Sequence, residues 1–224
     1  MNVTNQQSNN FKQLIVSFAF PAFLVLIMWA VKLFETINKT DLGVYGLFPL
    51  STKGLIGILT CPFLHGDWAH LSSNSIPFLV LGTGIFTYYK DKAWYILLFI
   101  YLISGFWTWI FAREAYHIGA SGIVYGMAFF LLLSSIFRRE KSLTAFAMLI
   151  IFLYGSIVWG FFPQFFPNQN ISWESHLMGA IAGLAVAFYY RNDGPKPNEY
   201  IWDDESDDED YIEEEIVEDD IVEK

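Results

Sequence analysis

Polar side chains begin two otherwise apolar stretches of the chain, and their types suit nucleophilic catalysis. Ser121 begins one stretch, in the sequence Gly119-Ala120-Ser121-Gly122, and His176 lies near the start of another. A serine hydroxyl attacks a carbonyl when a base within hydrogen-bond reach takes its proton, and imidazole has a suitable pKa for that near neutrality. The pair therefore predicts a nucleophile, Ser121, and a general base, His176.

A third stretch carries hydrogen-bond donors for the negative charge that such an attack creates. His70 and Asn74 are four positions apart, so a helix places both on one face. An oxyanion in a low-dielectric site needs preorganised donors. The candidates are His70, Asn74 and the backbone N–H of Ser121, where a helix start also favours negative charge.

The remaining histidines receive other interpretations. We interpret His65 as making a structural hydrogen bond near a loop, and we expect His117 to face the outer water. Zinc binding by all four histidines, which include His70 and His176, is an alternative because imidazole is a good zinc ligand. No HExxH pair or acidic ligand cluster accompanies them, so we predict no metal and no cofactor.

Composition indicates an apolar body with an acidic tail. Of the 224 residues, 54% are hydrophobic and 19% aromatic, yet the formal net charge is −10, with most of the acid after Asp193. Such a body is typical of a membrane protein, and like-charge runs usually stay solvated and disordered. Partner binding by the tail is the alternative. Strong nucleic-acid binding is disfavoured because clustered Lys and Arg are lacking, and the single cysteine, Cys61, excludes an intrachain disulfide.

About six apolar stretches approach the length of a membrane-spanning helix, which needs about 17–25 residues. They cover residues 14–34, 71–89, 94–112, 121–137, 143–162 and 175–190. The predicted fold is therefore an all-α membrane protein with a bundle of six transmembrane helices. It divides into a cytoplasmic N-terminal segment (1–13), the membrane domain (14–191) and an acidic, disordered cytoplasmic tail (192–224).

Basic residues predict how these spans are oriented. If the spans alternate, one side receives Lys12, Lys90, Lys92, Arg138, Arg139, Lys141, Arg191 and Lys196, and the other receives Lys32, Lys39, Lys53 and Arg113. The richer side is cytoplasmic, so both termini are expected there. Spans two, four and six then enter from the outer side, which gathers Ser121, His176, His70 and Asn74 at one depth. The apolar segment 35–70 is expected to fold at the outer interface with short amphipathic helices.

Glycines predict which helices touch. Gly122 and Gly126 form one G-x-x-x-G pattern and Gly179 and Gly183 another, and small residues let helix backbones approach closely. Because the second pair shares a helix face with the general base, we expect span four to pack there. Tyr125, one turn below the serine, would then pack against the imidazole. The alternative, in which these glycines only tighten a bundle, stays open.

Together these segments resemble the signature of the rhomboid proteases. The matching pieces, in the family's order, are His65-x4-His70-x3-Asn74, Gly119-Ala120-Ser121-Gly122 with Tyr125, and His176-x2-Gly179-x3-Gly183. The resemblance implies a Ser–His dyad, an oxyanion site that includes His70 and Asn74, and cleavage of transmembrane protein substrates in the bilayer near its outer face. It also implies that the fifth span and the loop 161–173 form a mobile gate and cap, and it favours a bacterial inner membrane. The Trp-Arg pair common in the first loop of many bacterial members is not found.

Two other functions compete with a protease. A rhomboid-like pseudoprotease would bind membrane proteins without cutting them, and a small transporter would use the polar layer as a substrate path. The presence of both Ser121 and His176 argues against the first. The lack of paired inverted repeats or corresponding broken segments argues against the second.

Overall fold

The computed structural model describes residues 3–162, 164 and 172–197. Seven α-helices lie in this part of the chain: α1 (Val3–Asn38), α2 (Gly57–Thr60), α3 (Trp68–Tyr89), α4 (Ala93–Phe111), α5 (Ser121–Arg138), α6 (Lys141–Tyr154) and α7 (Trp173–Tyr189). Over the same residues, β pairing is limited to an isolated antiparallel bridge between Leu47 and His117. The acidic tail beyond residue 197 and most of the predicted cap, residues 165–171, lie outside the described residues.

Three stretches of the described chain are long and apolar enough to cross a membrane. They are Phe11–Asn38, Trp68–Phe111 and Ser121–Arg138, and the second contains both α3 and α4. The structure is thus an all-helical bundle with membrane-spanning character. The helix α7, with 17 residues, and α6, with 14, are shorter.

The fifth predicted span differs from a continuous α-helix. Glu140 caps its start by accepting hydrogen bonds from the backbone N–H groups of Ser142 and Leu143, as N-cap carboxylates do. The α-helix ends at Tyr154 and continues as a 3₁₀ helix over Gly155–Phe161. Glycine weakens α-helix at this point because it has the largest backbone entropy to lose. The sequence pattern over residues 143–162 therefore covers two kinds of helix.

The first helix begins well before the predicted span, at Val3. It packs along α3, where the Trp29 indole donates a hydrogen bond of 3.0 Å to the hydroxyl of Ser75. Near its other end, Lys32 Nζ donates to the backbone carbonyl oxygens of His65 and Gly66, at 2.9 and 3.0 Å. These contacts attach α1 to the start of α3 and to the loop before it.

The most extensive helix packing joins α5 and α7. A Cβ atom built on Gly179 would lie 2.0 Å from the carbonyl oxygen of Gly122. One built on Gly183 would lie 2.0 Å from the carbonyl oxygen of Gly126. The two G-x-x-x-G patterns therefore face each other, and only hydrogen side chains leave room for this approach.

Polar contacts mark two opposite ends of the bundle. At one end, Arg138 Nε donates to the carbonyl of Pro195, and Tyr88 Oη donates to the carbonyl of Ser142. At the other end, Arg113 and Glu174 form an ion pair of 3.0 Å. The helices thus alternate in direction, which is the arrangement assumed for the spans in the sequence analysis. The membrane side that each end faces stays a prediction.

The long connection between α1 and α3, which we call the first connection, folds into short helical turns, as expected for residues 35–70. It holds 3₁₀ turns at Gly43–Tyr45, Lys53–Ile56 and Cys61–Phe63, besides α2. Several apolar side chains of this connection are exposed, including Leu50, Ile56 and Leu59. The Trp109 indole donates to the carbonyl of Ser51 at 3.0 Å, which anchors the connection to α4. Its place at a membrane interface stays a prediction.

Candidate active site

A glycine turn presents Ser121 at the first position of α5. Gly119 has a φ of +107°, a conformation that residues with a side chain rarely adopt. Its N–H donates to the carbonyl of Cys61 at 2.8 Å, which fixes the turn to the first connection. A Cβ atom at Gly119 would lie 2.7 Å from Nε2 of His70. The turn therefore needs glycine and brings the serine next to the start of α3.

Ser121 and His176 are hydrogen-bonded, with 3.0 Å between Oγ and Nε2. The other ring nitrogen of His176, Nδ1, lies 2.9 Å from the carbonyl oxygen of Gly160. A carbonyl only accepts, so Nδ1 carries the ring proton and Nε2 is left as an acceptor for the serine hydroxyl. This is the tautomer that a general base requires.

Gly160 is a member of the site that sequence reasoning missed. Its carbonyl holds the imidazole as a carboxylate does in Ser-His-Asp triads. Every residue has such a carbonyl, so residue type alone does not reveal this role. The sequence feature that could have pointed to this position is its glycine, because a Cβ atom there would lie 2.0 Å from the Tyr125 hydroxyl and 2.9 Å from Nδ1 of His176.

Tyr125 lies face to face with the imidazole of His176. The ring centroids are 4.3 Å apart and the planes differ by 6°. Phe161 contacts the same tyrosine edge-on, with centroids 5.1 Å apart. The imidazole is thus held by a ring on its face and a carbonyl on its edge, which leaves it one orientation toward the serine.

His70 and Asn74 both border the glycine turn beside Ser121. Around the position of a Cβ at Gly119, His70 Nε2 lies at 2.7 Å and Asn74 Nδ2 at 3.6 Å. Asp67 caps α3 by accepting from the backbone N–H of His70 at 2.7 Å. That hydrogen bond holds the pKa of the Asp67 carboxyl below its usual value. The Asp67 cap thus fixes the first turn of α3. The role of His70 and Asn74 in catalysis stays a prediction.

His65 is buried, but its ring makes no hydrogen bond among the described residues. Burial lowers the pKa of His65 to about 4, so the ring is neutral near pH 7. It packs edge-on against the ring of His70, with centroids 5.1 Å apart. The hydrogen bond expected of this residue is made instead by its backbone carbonyl, which accepts from Lys32.

The expectation that His117 faces the outer water is wrong. The side chain is only 3% exposed. Its backbone N–H and carbonyl bond to Leu47, at 2.8 and 3.0 Å, and this bridge places the first connection over it. The ring contacts the hydroxyl of Ser172 through Nδ1 and the carbonyl of Arg113 through Nε2. Burial lowers the pKa of His117 below its ordinary value.

No cluster of three or more His, Cys, Asp or Glu side chains with metal-binding geometry occurs within residues 3–162, 164 and 172–197. Fold and site together define a multi-pass helical membrane protein with a partly buried serine–histidine pair near one end of its bundle. The Rhomboid domain family matches residues 52–193. The chain belongs to the rhomboid family.

The chain is similar to proteins from bacteria and from a virus, and the viral protein carries the family's name. An uncharacterized protein of Mycobacterium tuberculosis is 33% identical over 170 residues, which cover 73% of this chain and 71% of the relative. One from Mycobacterium leprae is 30% identical over 168 residues, covering 72% and 66%. A protein of Acanthamoeba polyphaga mimivirus that is named as a rhomboid protein is 27% identical over 176 residues, covering 76% and 91%.

Proposed function

We propose that this chain is an intramembrane serine endopeptidase that cleaves transmembrane segments of membrane proteins near the outer face. One observation carries the proposal: Ser121 Oγ lies 3.0 Å from a ring nitrogen of His176 whose tautomer suits a general base. A pseudoprotease has no need for this geometry. Membership of a family whose members are generally serine proteases supports the same conclusion.

The geometry supports a two-step acyl transfer. Ser121 Oγ attacks the scissile carbonyl while its proton passes to Nε2 of His176, and the imidazolium then gives that proton to the leaving amine. In the second step a water gives a proton to Nε2 and attacks the acyl carbon, and the imidazolium then returns that proton to Oγ as the bond between the acyl carbon and Ser121 breaks. The negative charge on the carbonyl oxygen is stabilised by His70, Asn74 and the N–H of Ser121.

A small cavity beside the serine turn supports the hydrolytic step. Its volume is about 20 Å³, and it is lined by Gly119 and Gly122 together with the polar residues Ser104, Thr108 and Ser175. A cavity of this size is large enough for one water molecule. We propose that a water held there, beside the turn that presents Ser121, supplies the hydrolytic step.

The lengths of the last two helices support six spans. At 1.5 Å per α-helical residue and 2.0 Å per 3₁₀ residue, α6 and the 3₁₀ helix after it have a combined contour of about 35 Å. The helix α7 is about 26 Å long. Both suit a hydrocarbon core of about 30 Å. We propose that the six-span domain covers residues 14–191 and lies in a bacterial inner membrane, with both termini in the cytoplasm.

Labelling with a fluorophosphonate probe tests the proposed activity. The purified protein in detergent is expected to react at Ser121, because the probe requires a serine activated by a base. Ser121→Ala is the control for labelling elsewhere. A folded wild-type protein that binds a transmembrane substrate but neither reacts with the probe nor cleaves would favour the pseudoprotease.

Asn74→Ala tests the oxyanion assignment separately from the dyad. If Asn74 faces the developing charge, turnover per labelled site should fall by up to about 10²–10³, with less change in apparent affinity. Ser73→Ala is a matched control, because the Ser73 hydroxyl and the Asn74 amide both donate to the carbonyl of His70, at 2.9 and 3.2 Å. Unchanged turnover with a lowered melting temperature in Asn74→Ala would mean a structural asparagine.

A further inference from the structure

Two side-chain contacts connect the segment before Ser121 with the start of α7 and the residue before it, and the proposed mechanism uses neither. The first is the ion pair of Arg113 with Glu174, whose side chain is 7% exposed. The second joins the His117 ring to the hydroxyl of Ser172. These pairs are 61 and 55 residues apart in the chain, so only the tertiary fold brings them together. We call the four residues and Ser175 the outer clasp.

Hydrogen-bond roles in the outer clasp follow from one carbonyl. Nε2 of His117 lies 3.1 Å from the carbonyl oxygen of Arg113, so Nε2 carries the proton and Nδ1 accepts from the Ser172 hydroxyl. The Ser172 oxygen in turn accepts from the Ser175 hydroxyl at 2.6 Å. The charged groups facing His117 are Arg113 and Glu174, which are paired with each other. A neutral His117 is thus the natural acceptor at the end of this hydrogen-bonded chain.

The outer clasp connects the segment that carries His176 with the segment that carries Ser121. The backbone carbonyl of Ser172 accepts a hydrogen bond from the backbone N–H of His176 at 3.3 Å, so a shift of Ser172 shifts the helical turn that carries the base. On the other side, His117 is fixed to Leu47 by two backbone hydrogen bonds and lies just before the turn that presents Ser121. A bond between His117 and Ser172 therefore sets the spacing between these two rigid parts.

We propose that His117 is a positioning residue for the dyad, which acts through Ser172 to hold His176 at hydrogen-bond distance from Ser121. This inference rests on the proposed protease function. A misplacement of about 1 Å between reacting groups costs about 10² in rate. Loss of the His117–Ser172 bond should therefore lower turnover and leave substrate affinity nearly unchanged, because neither residue needs to touch the substrate.

The test compares two substitutions at one position. His117→Phe keeps the ring volume and removes both ring hydrogen bonds, whereas His117→Asn keeps an acceptor at the place of Nδ1. We expect His117→Phe to lower turnover per labelled site by about 10–100-fold, with a small change in KM, and His117→Asn to restore most of it. Ser172→Ala should have little further effect in the His117→Phe background, because both changes remove the same bond.

Ser135→Ala is the control for the loss of a side-chain hydrogen bond away from the site, because it removes a 2.7 Å bond at the opposite end of α5. It should leave turnover per labelled site close to wild type. The inference is overturned if His117→Phe cleaves like wild type, or if His117→Asn is as impaired as His117→Phe. A folded wild-type protein that neither reacts with the probe nor cleaves would overturn the proposed function itself, and this inference with it.

Discussion

Ser121→Ala and His176→Ala are each expected to abolish cleavage of a model transmembrane substrate while leaving the protein folded. Oγ and Nε2 form one hydrogen-bonded unit of 3.0 Å, so either loss removes the activated nucleophile. In serine proteases such losses reach about 10⁶ in turnover and do not add in the double variant. The measurement is cleavage rate per folded molecule in detergent or proteoliposomes, with melting temperature as the check on folding.

Ser135→Ala is again a suitable control, since it replaces another serine of the same helix far from the site. It should cleave at close to the wild-type rate. Residual activity well above background in either purified dyad variant would contradict the assigned pair. A double variant much less active than both single ones would contradict their action as a unit.

Gly179→Ala is expected to lower both the stability of the protein and its turnover, although it adds a single methyl group. The new Cβ would lie 2.0 Å from the carbonyl oxygen of Gly122, about 1 Å closer than contact allows. Because that oxygen belongs to the backbone, α5 and α7 must move apart. Overpacking costs about 1–3 kcal/mol, and the same movement separates Ser121 from His176. We expect a lower melting temperature and a loss of about 10² in turnover.

Gly155→Ala is the matched control, because a Cβ atom there meets nothing within 4 Å. It makes the same chemical change in the same bundle and should leave turnover and melting temperature close to wild type. If Gly179→Ala melts and cleaves as Gly155→Ala does, the close approach of α5 and α7 is not what holds the dyad together.

Residue types inside apolar stretches predicted much of the arrangement. A serine, a histidine or an asparagine in a membrane segment is costly unless it has a partner, so Ser121, His176, His70 and Asn74 were visible as candidates. Alternating spans then predicted that they share one depth. The structure places all four near one end of the bundle and sets Tyr125 against the imidazole.

Features that depend on long-range contacts were not predictable in the same way. The burial of His117 follows from a backbone bridge to Leu47, which is 70 positions earlier, and no local pattern reports it. Likewise, the change to 3₁₀ winding after Tyr154 occurs within a segment that stays largely apolar. Apolar composition predicts that a segment is buried in lipid or protein, but it does not distinguish its backbone hydrogen-bond pattern.

Besides Ser121 and His176, the site contains a main-chain group, the carbonyl of Gly160. Its main-chain origin matters for mutational surveys and for inhibitors. An alanine scan leaves the carbonyl at position 160 in place, so a survey of side chains would count two catalytic partners where the geometry has three. The same carbonyl sits on a short 3₁₀ segment rather than on the glycine-packed pair of helices. A compound that draws this segment away would free Nδ1 to lose its proton to Nε2, which removes the acceptor for Ser121. Such a compound is expected to inactivate the proposed protease without entering the substrate site.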